Sequence, residues 1–301
     1  MSPRRSESDA LDAIEALVCR DVGRGTAPLI AATRGDLAAA ARALADATSV
    51  GMITGFYVPR GETPGPETDG PPGAALLAGA LAACGVPARI AVDGPCAEIV
   101  KVAVAAVGEA RVAVDVVVDL DDAIDTWIGA GISHALSIER CGRSRDGKPR
   151  NMRGVDVSSW TLALDDLFTA APWVRLAVGD GGNEIGMGKL APDLIGGCVP
   201  NGTDIASVTA ADHLVVAGVS NWGAYGLIAA MAVLRPDWRA ALLSFLDPER
   251  EFRLVRRLVT DAGAIDGVTA RREPTVDGLP ADEHAALLRQ LYRIAGGETG
   301  L

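Results

Sequence analysis

Short apolar runs alternate with stretches of helical period along most of the chain. Residues 50–56, 89–92, 112–118, 135–139, 174–178 and 214–219 are apolar nearly throughout. Runs of about four to eight such residues, bounded by turn formers, predict strands buried on both faces. Between and around them, 9–20, 36–47, a segment starting near Gly73, 96–107, 121–129, 162–171 and a segment starting at Trp222 read as helices. A Pro/Gly loop is expected over 59–72 and a long polar loop over 140–157. Two more helices, 248–262 and 281–295, are expected in a tail that is more charged after Pro236 and packs onto the sheet. Strands each followed by a helix predict an α/β fold, a layered sandwich with a mostly parallel sheet and helices on both faces. No repeat and no linker interrupts the pattern, so 1–301 reads as a single α/β domain.

Two stretches imitate membrane spans. Residues 70–88 carry no charge but hold three prolines and four glycines. Residues 214–234 are also uncharged and long enough to span a bilayer. Their centre, Ser220-Asn221-Trp222-Gly223, reads instead as the turn of a buried strand–turn–helix unit.

Composition narrows the function classes. With 49% hydrophobic and 22% charged residues, the chain has the apolar surface that a disordered protein lacks. Net charge is −11, from 28 Lys+Arg against 39 Asp+Glu. Such a field repels nucleic-acid phosphates and suits a divalent cation and a small-molecule partner. The five cysteines form no CxxC pair and their number is odd, which fits a reducing compartment rather than a disulfide framework. Met1 to Asp9 shows basic residues with no apolar run behind them, so no secretory signal is expected and a cytoplasmic location is.

In an open parallel sheet, ligands bind beyond the carboxyl ends of the strands. Asp93, Asp119, Glu139 and Asp180 each close a predicted strand. Asp93 and Asp119 fit a turn or cap role. The most informative segment is Gly179-Asp180-Gly181-Gly182-Asn183-Glu184-Ile185-Gly186-Met187-Gly188-Lys189, expected to run from a strand into a helix. Its glycines let backbone N–H groups cradle an anion, and Asp180, Asn183 and Glu184 supply hard oxygen ligands. It is neither a Walker loop nor a dinucleotide fingerprint, because Asn183 and Glu184 stand where glycines are needed.

A second segment runs from Glu139-Arg140-Cys141-Gly142-Arg143 through Asn151-Met152-Arg153-Gly154-Val155-Asp156. It reads either as a solvated loop of paired charges or as a substrate loop whose guanidiniums grip a carboxylate or phosphate. Cys141 has no histidine near it in sequence and reads as an inert thiol. In Glu67-Thr68-Asp69-Gly70-Pro71-Pro72-Gly73, Thr68 or Asp69 is placed to cap the following helix, and Gly70 to Gly73 to set its N-terminus against an anion. His134, His213 and His284 lie far apart and read as structural, so a Ser-His-Asp triad or a histidine-rich zinc site has no support. Oxygen ligands favour Mg²⁺ or Mn²⁺.

These three segments, together with Gly218-Val219-Ser220-Asn221-Trp222-Gly223-Ala224-Tyr225, resemble the D-glutamate cyclase C-terminal domain family over about 51–267. The resemblance implies an α/β fold, a divalent metal, and cyclisation of D-glutamate to 5-oxo-D-proline with loss of water. On that reading Asp180, Glu184, Asn183 and Glu139 hold the metal, and Glu139 or Asp69 moves the proton. Arg140, Arg143 or Arg153 grips the α-carboxylate, with Asn151, Gly181, Gly182 and Asn221 completing the substrate site. Two features keep other readings open. A hydro-lyase-like domain that precedes this one in full-length cyclases is not in these 301 residues. Cys141 also stands where relatives are expected to carry a proline. A metal-dependent phosphatase of small metabolites is the first alternative, and a non-catalytic sensor of an acidic metabolite the second. A homo-oligomer is compatible with each.

Overall fold

The computed structural model describes residues 6–60 and 63–297. Its strands are β1 (Val50–Thr54), β2 (Tyr57–Val58), β3 (Gly65–Pro66), β4 (Ala88–Asp93), β5 (Ala113–Val117), β6 (His134–Ile138), β7 (Val174–Gly179) and β8 (His213–Val216). Its helices are α1 (Glu7–Val18), α2 (Ala27–Ala32), α3 (Asp36–Ala45), α4 (Pro71–Ala83), α5 (Ala97–Val107), α6 (Leu120–Gly129), α7 (Asp165–Thr169), α8 (Pro192–Cys198), α9 (Gly202–Ile205), α10 (Ser220–Leu234), α11 (Arg239–Leu243), α12 (Pro248–Asp261) and α13 (Ala281–Ile294).

Six strands form one parallel sheet in the order β5-β4-β1-β6-β7-β8, and β2 pairs antiparallel with β3 beside it. The chain winds outward from β1 in one direction through β4 and β5, then returns to the other side of β1 for β6, β7 and β8. That reversal leaves a crevice beyond the carboxyl ends of β1 and β6, where doubly wound folds hold their ligands.

Residues alternate between two helical layers, as period-2 geometry requires. Met52, Ile90, Leu136 and Leu176 pack into one apolar cluster with α1, α3, α4, α5, α10, α12 and α13. Ile53, Ala91, Ala135 and Ala177 pack into the other with residues of α6, α7 and α8. The second face is made thin by small residues, and Gly51 shows why. A Cβ there would stand 2.7 Å from the Trp127 ring of α6.

The two uncharged stretches are the central helices of the thick layer. Helices α4 and α10 are buried along almost their whole lengths, which is why neither has a polar face. Residues 213–234 form β8, a short turn and α10, as the pattern predicts. Among the described residues, no helix is long and apolar enough to cross a membrane.

Two local expectations are corrected. The helix expected over 162–171 shortens to the five residues of α7. The glycine-rich segment after β7 does not run into a helix. Gly182 and Gly186 adopt φ of 104° and 106°, which a right-handed helix excludes. The segment makes isolated bridges to Cys141 and Ala210 instead, and α8 begins only at Pro192.

The tail does more than pack onto the sheet. Ile265 donates its N–H to the Pro66 carbonyl at 3.0 Å and accepts from Thr68 at 2.9 Å. Asp266 then gathers the loop that follows, accepting from Val268 and Thr269 N–H on one oxygen and from Thr275 Oγ1 and Gly278 N–H on the other. This brings Asp277, held at φ 57°, over the crevice.

Candidate active site

The two buried helices start at the crevice and cap each other. Asp69, just before α4, accepts N–H bonds from Ser220 (2.9 Å) and Asn221 (2.8 Å) at the start of α10. Asn221 answers with its Oδ1, which accepts from Gly70 (3.0 Å) and Gly73 (2.8 Å) at the start of α4. Gly73 is required for the contact, since a Cβ there would sit 2.9 Å from both Ala224 Cβ and Asn221 Oδ1. Three expectations change as a result. Asp69 caps chiefly α10, not its own helix. The N-terminus of α4 is filled by Asn221 and offers no free anion site. Asn221 itself is a reciprocal cap whose hydrogen bonds go to the chain, not to a substrate.

The glycine-rich turn is likewise filled from within. Glu184 Oε1 accepts the N–H groups of Asp180 (2.8 Å) and Gly181 (2.6 Å), and Oε2 accepts that of Gly182 (2.7 Å). The nest expected to cradle a substrate anion is occupied by the chain's own carboxylate, so Gly181 and Gly182 are not substrate donors. Gly181 matters sterically instead: a Cβ would come 2.7 Å from Met152 Sδ. Glu184 Oε2 keeps a lone pair for a cation. Asn183 donates its amide N–H to the Arg150 carbonyl at 2.8 Å, which fixes its orientation.

Two of the three expected carboxylate-gripping arginines belong to the scaffold. Arg140 is fully buried, with one nitrogen 2.6 Å from Asp93 Oδ2 and another 2.9 Å from the Gly55 carbonyl. It also donates to the Leu162 carbonyl, while Asp93 accepts the Leu162 N–H. Arg143 is paired with Asp166. Neither lines the crevice. Arg153 and Asn151 do.

The crevice holds a cavity of about 460 Å³, lined by Glu67, Glu139, Asp180, Asn183 and Asp277 with Arg24, and by Arg60 and Arg153. Glu139 follows β6 directly at φ 45°, a left-handed conformation rare outside glycine, and its Oε2 accepts from Ser220 Oγ at 2.6 Å. Oxygens of Glu139, Asp180 and Glu184 lie within 4.8 Å of one another, and so do oxygens of Asp69, Asp180 and Asp277. Asp180 belongs to both triads. Arg24 reaches Asp180 Oδ2 and Asp277 Oδ2, each at 2.7 Å.

Burial raises the pKa of Glu139, and Asp180 and Glu184 raise it further. Burial raises Glu67 as well, with Asp277 and Asp69 adding to it. Asp69 is raised by burial and by Asp277, against the pull of its two α10 N–H donors. Asp180 is raised by burial, against the opposing pull of Arg24. Although burial disfavours its charge, the Arg24 guanidinium is held above its ordinary value by Asp180 and Asp277.

This donor set fits a divalent cation. Every ligand atom is a hard oxygen, and six acids (Glu67, Asp69, Glu139, Asp180, Glu184, Asp277) face one built-in cation, Arg24. Asp180 Oδ2 is buried and has no hydrogen-bond partner among the described residues. The thiol of Cys141 is pushed well up by burial, consistent with an inert residue. His284 is bonded to Trp222 Nε1 and His134 to Ser133, away from the cavity.

A family model described as D-glutamate cyclase-like, C-terminal, matches residues 14–292. The chain belongs to this family. Human mitochondrial D-glutamate cyclase is 29% identical over 335 residues, covering 96% of the chain and 52% of the relative. The chain thus spans about half the length of that cyclase. The family match reaches past 51–267 at both ends, and the additions bring in Arg24 and Asp277. Sequence reasoning missed both. Each sits among turn residues, in Asp21-Val22-Gly23-Arg24-Gly25 and Val276-Asp277-Gly278. An arginine flanked by two glycines between helices was the available signal.

Proposed function

We propose that this chain closes D-glutamate to 5-oxo-D-proline in the cavity beyond β1 and β6. The observation that carries the reading is one small cavity with buried acids on its floor and two unpaired guanidiniums on its wall. Arg60 and Arg153 have no carboxylate within ion-pair distance among the described residues, and burial, with Arg153 nearby, lowers the pKa of Arg60. Arg60 is held in place by the Gly267 and Val268 carbonyls. The pair receives the substrate α-carboxylate, and the γ-carboxyl then reaches the acids.

Ring closure forms one C–N bond and breaks one C–O bond. Two protons leave the ammonium nitrogen and two arrive on the departing oxygen, so water leaves and charge balances. Glu67 carries them: it lines the cavity, and burial raises its pKa, which makes it a stronger proton acceptor than an ordinary carboxylate. Asp69 does not suit this task, because its oxygens hold the start of α10. Glu139, Asp180 and Glu184, with Asn183 beside them, would hold Mg²⁺ or Mn²⁺, which supplies Lewis-acid polarisation of the γ-carboxyl. Closure is intramolecular, and holding a substrate folded supplies effective molarities of about 10⁵–10⁸ M. The phosphatase alternative has less support, because both backbone cradles that could seat a phosphoryl group are filled by Glu184 and Asn221. The preference for the D enantiomer rests on the relative's name.

A proton NMR time course tests this, with Mn²⁺-supplemented protein and D-glutamate, L-glutamate or 5-oxo-D-proline in separate tubes. Interconversion of D-glutamate and 5-oxo-D-proline that stops on adding EDTA is expected. No change in any tube contradicts the proposal.

A further inference from the structure

We infer that Arg24 is a built-in cation that keeps the second carboxylate triad, Asp69–Asp180–Asp277, closed to metal and so limits this centre to a single ion. The inference rests on the reading that the first triad, Glu139–Asp180–Glu184, holds a divalent cation.

The arm that carries Arg24 is fixed. Asp21 Oδ1 accepts the N–H groups of Gly23 (2.9 Å) and Arg24 (2.7 Å), and Asp21 Oδ2 accepts that of Gly25 (3.1 Å). From this turn the guanidinium spans the second triad, one nitrogen 2.7 Å from Asp180 and the other 2.7 Å from Asp277. Both contacts are close ion pairs, and Asp180 Oδ2, Asp277 Oδ2 and Arg24 Nη2 are buried from water. Asp180 is 4% exposed and the Asp277 side chain 7%. Two deeply buried carboxylate oxygens therefore converge on one positive charge, in the place a second cation would take. The first triad shares Asp180 but has no ion pair from Glu139 or Glu184 to any basic side chain among the described residues.

Two carboxylate triads joined by one shared aspartate are the donor arrangement of a two-metal centre. Arg24 stands where the second ion would go. Two ions about 3.5–4 Å apart clamp both the attacking and the leaving oxygen of an in-line displacement at phosphorus, whereas one ion suffices to polarise a carboxyl group. Arg24 thus helps decide which chemistry the acids can serve.

The test counts Mn²⁺ per chain by isothermal titration and by the EPR signal of free Mn²⁺, in the 301-residue chain and its variants. Arg24→Gln is expected to bind one more ion than the parent, and the double variant Arg24→Gln/Asp277→Asn to return to the parent's count. An Arg24→Gln count equal to the parent's overturns the inference, whatever that count is. If the parent binds no ion, the metal-dependent reading above falls and the single-ion limit falls with it. If both bind one, that reading stands and the inference falls. Arg24→Lys decides the matter if Arg24→Gln does not fold. A single ammonium neutralises one carboxylate at a time, so a second ion is expected at higher Mn²⁺. Its absence up to the order of 10 mM, beyond the weak end of carboxylate sites, overturns the inference.

Discussion

The two triads that meet at Asp180 use the same carboxylate group and differ in what neutralises them. Around Asp69 and Asp277 the negative charge is met by Arg24 and by the N–H groups at the start of α10. Around Glu139 and Glu184 there are hydrogen bonds from Ser220 and from the glycine-rich turn, but no ion pair to a basic side chain among the described residues. The same contrast separates the arginines. Arg140 and Arg143 have carboxylate partners and hold loops together, while Arg60 and Arg153 have none among the described residues and face the cavity. A charged residue in this protein is available for function only where the fold has not already consumed its charge.

Asp180→Asn breaks the comparison most severely, because it removes the residue both triads share. Mn²⁺ binding should vanish, and D-glutamate turnover should fall by about 10³-fold or more, the equivalent of several kcal/mol of lost Lewis-acid stabilisation. Calorimetry beside the NMR assay reads both, and retained binding would show that the acids are structural. Glu67→Gln should lower turnover by about 10²–10⁴-fold while Mn²⁺ affinity stays close to that of the parent. A loss of both together would place Glu67 among the ligands instead. Arg153→Ala should raise KM for D-glutamate by roughly tenfold or more with a smaller change in kcat, the cost of one charge-assisted hydrogen bond made equally in ground and transition states. The matched change Arg143→Ala should leave KM unaltered.

Two further variants sharpen the contrast from the scaffold side. Glu251 of α12 is buried away from the cavity against the Tyr225 hydroxyl, and burial lifts its pKa to about 7. A folded-state pKa above the unfolded value means the folded chain keeps the proton longer. Stability from this group is full below the ordinary glutamate range and is lost as pH rises through about 7. Thermal melts of Glu251→Gln and the parent should therefore diverge above about pH 5, with the variant more stable by on the order of 3 kcal/mol at pH 8. Parallel melting curves at all pH values would contradict this. Asn221→Ala leaves the Gly73 N–H unpaired and the Gly70 N–H with Asp69 Oδ1 alone, and should cost about 1–3 kcal/mol of stability in denaturant titrations, with KM unchanged in the molecules that remain folded.

The parallel sheet was legible because its strands are mostly apolar, on both faces in the central ones, and the burial of α4 and α10 was legible in two stretches without a single charge. The glycine-rich turn, Glu139 and Asp180 were legible as site residues from their places after strands. What sequence does not display is whether a hydrogen-bonding group is already used. Gly181 and Gly182 have the right N–H groups for an anion, but Glu184, two and three residues later, takes them first. Asn221 has the right amide, and α4 takes it. Arg140 has the right charge, and Asp93, 47 residues earlier, neutralises it. Arg24 and Asp277 escaped for the opposite reason: their neighbours form ordinary turns, and only the fold brings the two ends of the chain to one carboxylate.

The most direct test of the central claim compares Mn²⁺ affinity in Glu139→Gln and Asp277→Asn by isothermal titration. The uncompensated triad should be the one that binds, so Glu139→Gln should weaken Mn²⁺ by tenfold or more, while Asp277→Asn should stay within about threefold of the parent. Equal weakening in both variants, or weakening in Asp277→Asn alone, would contradict the assignment.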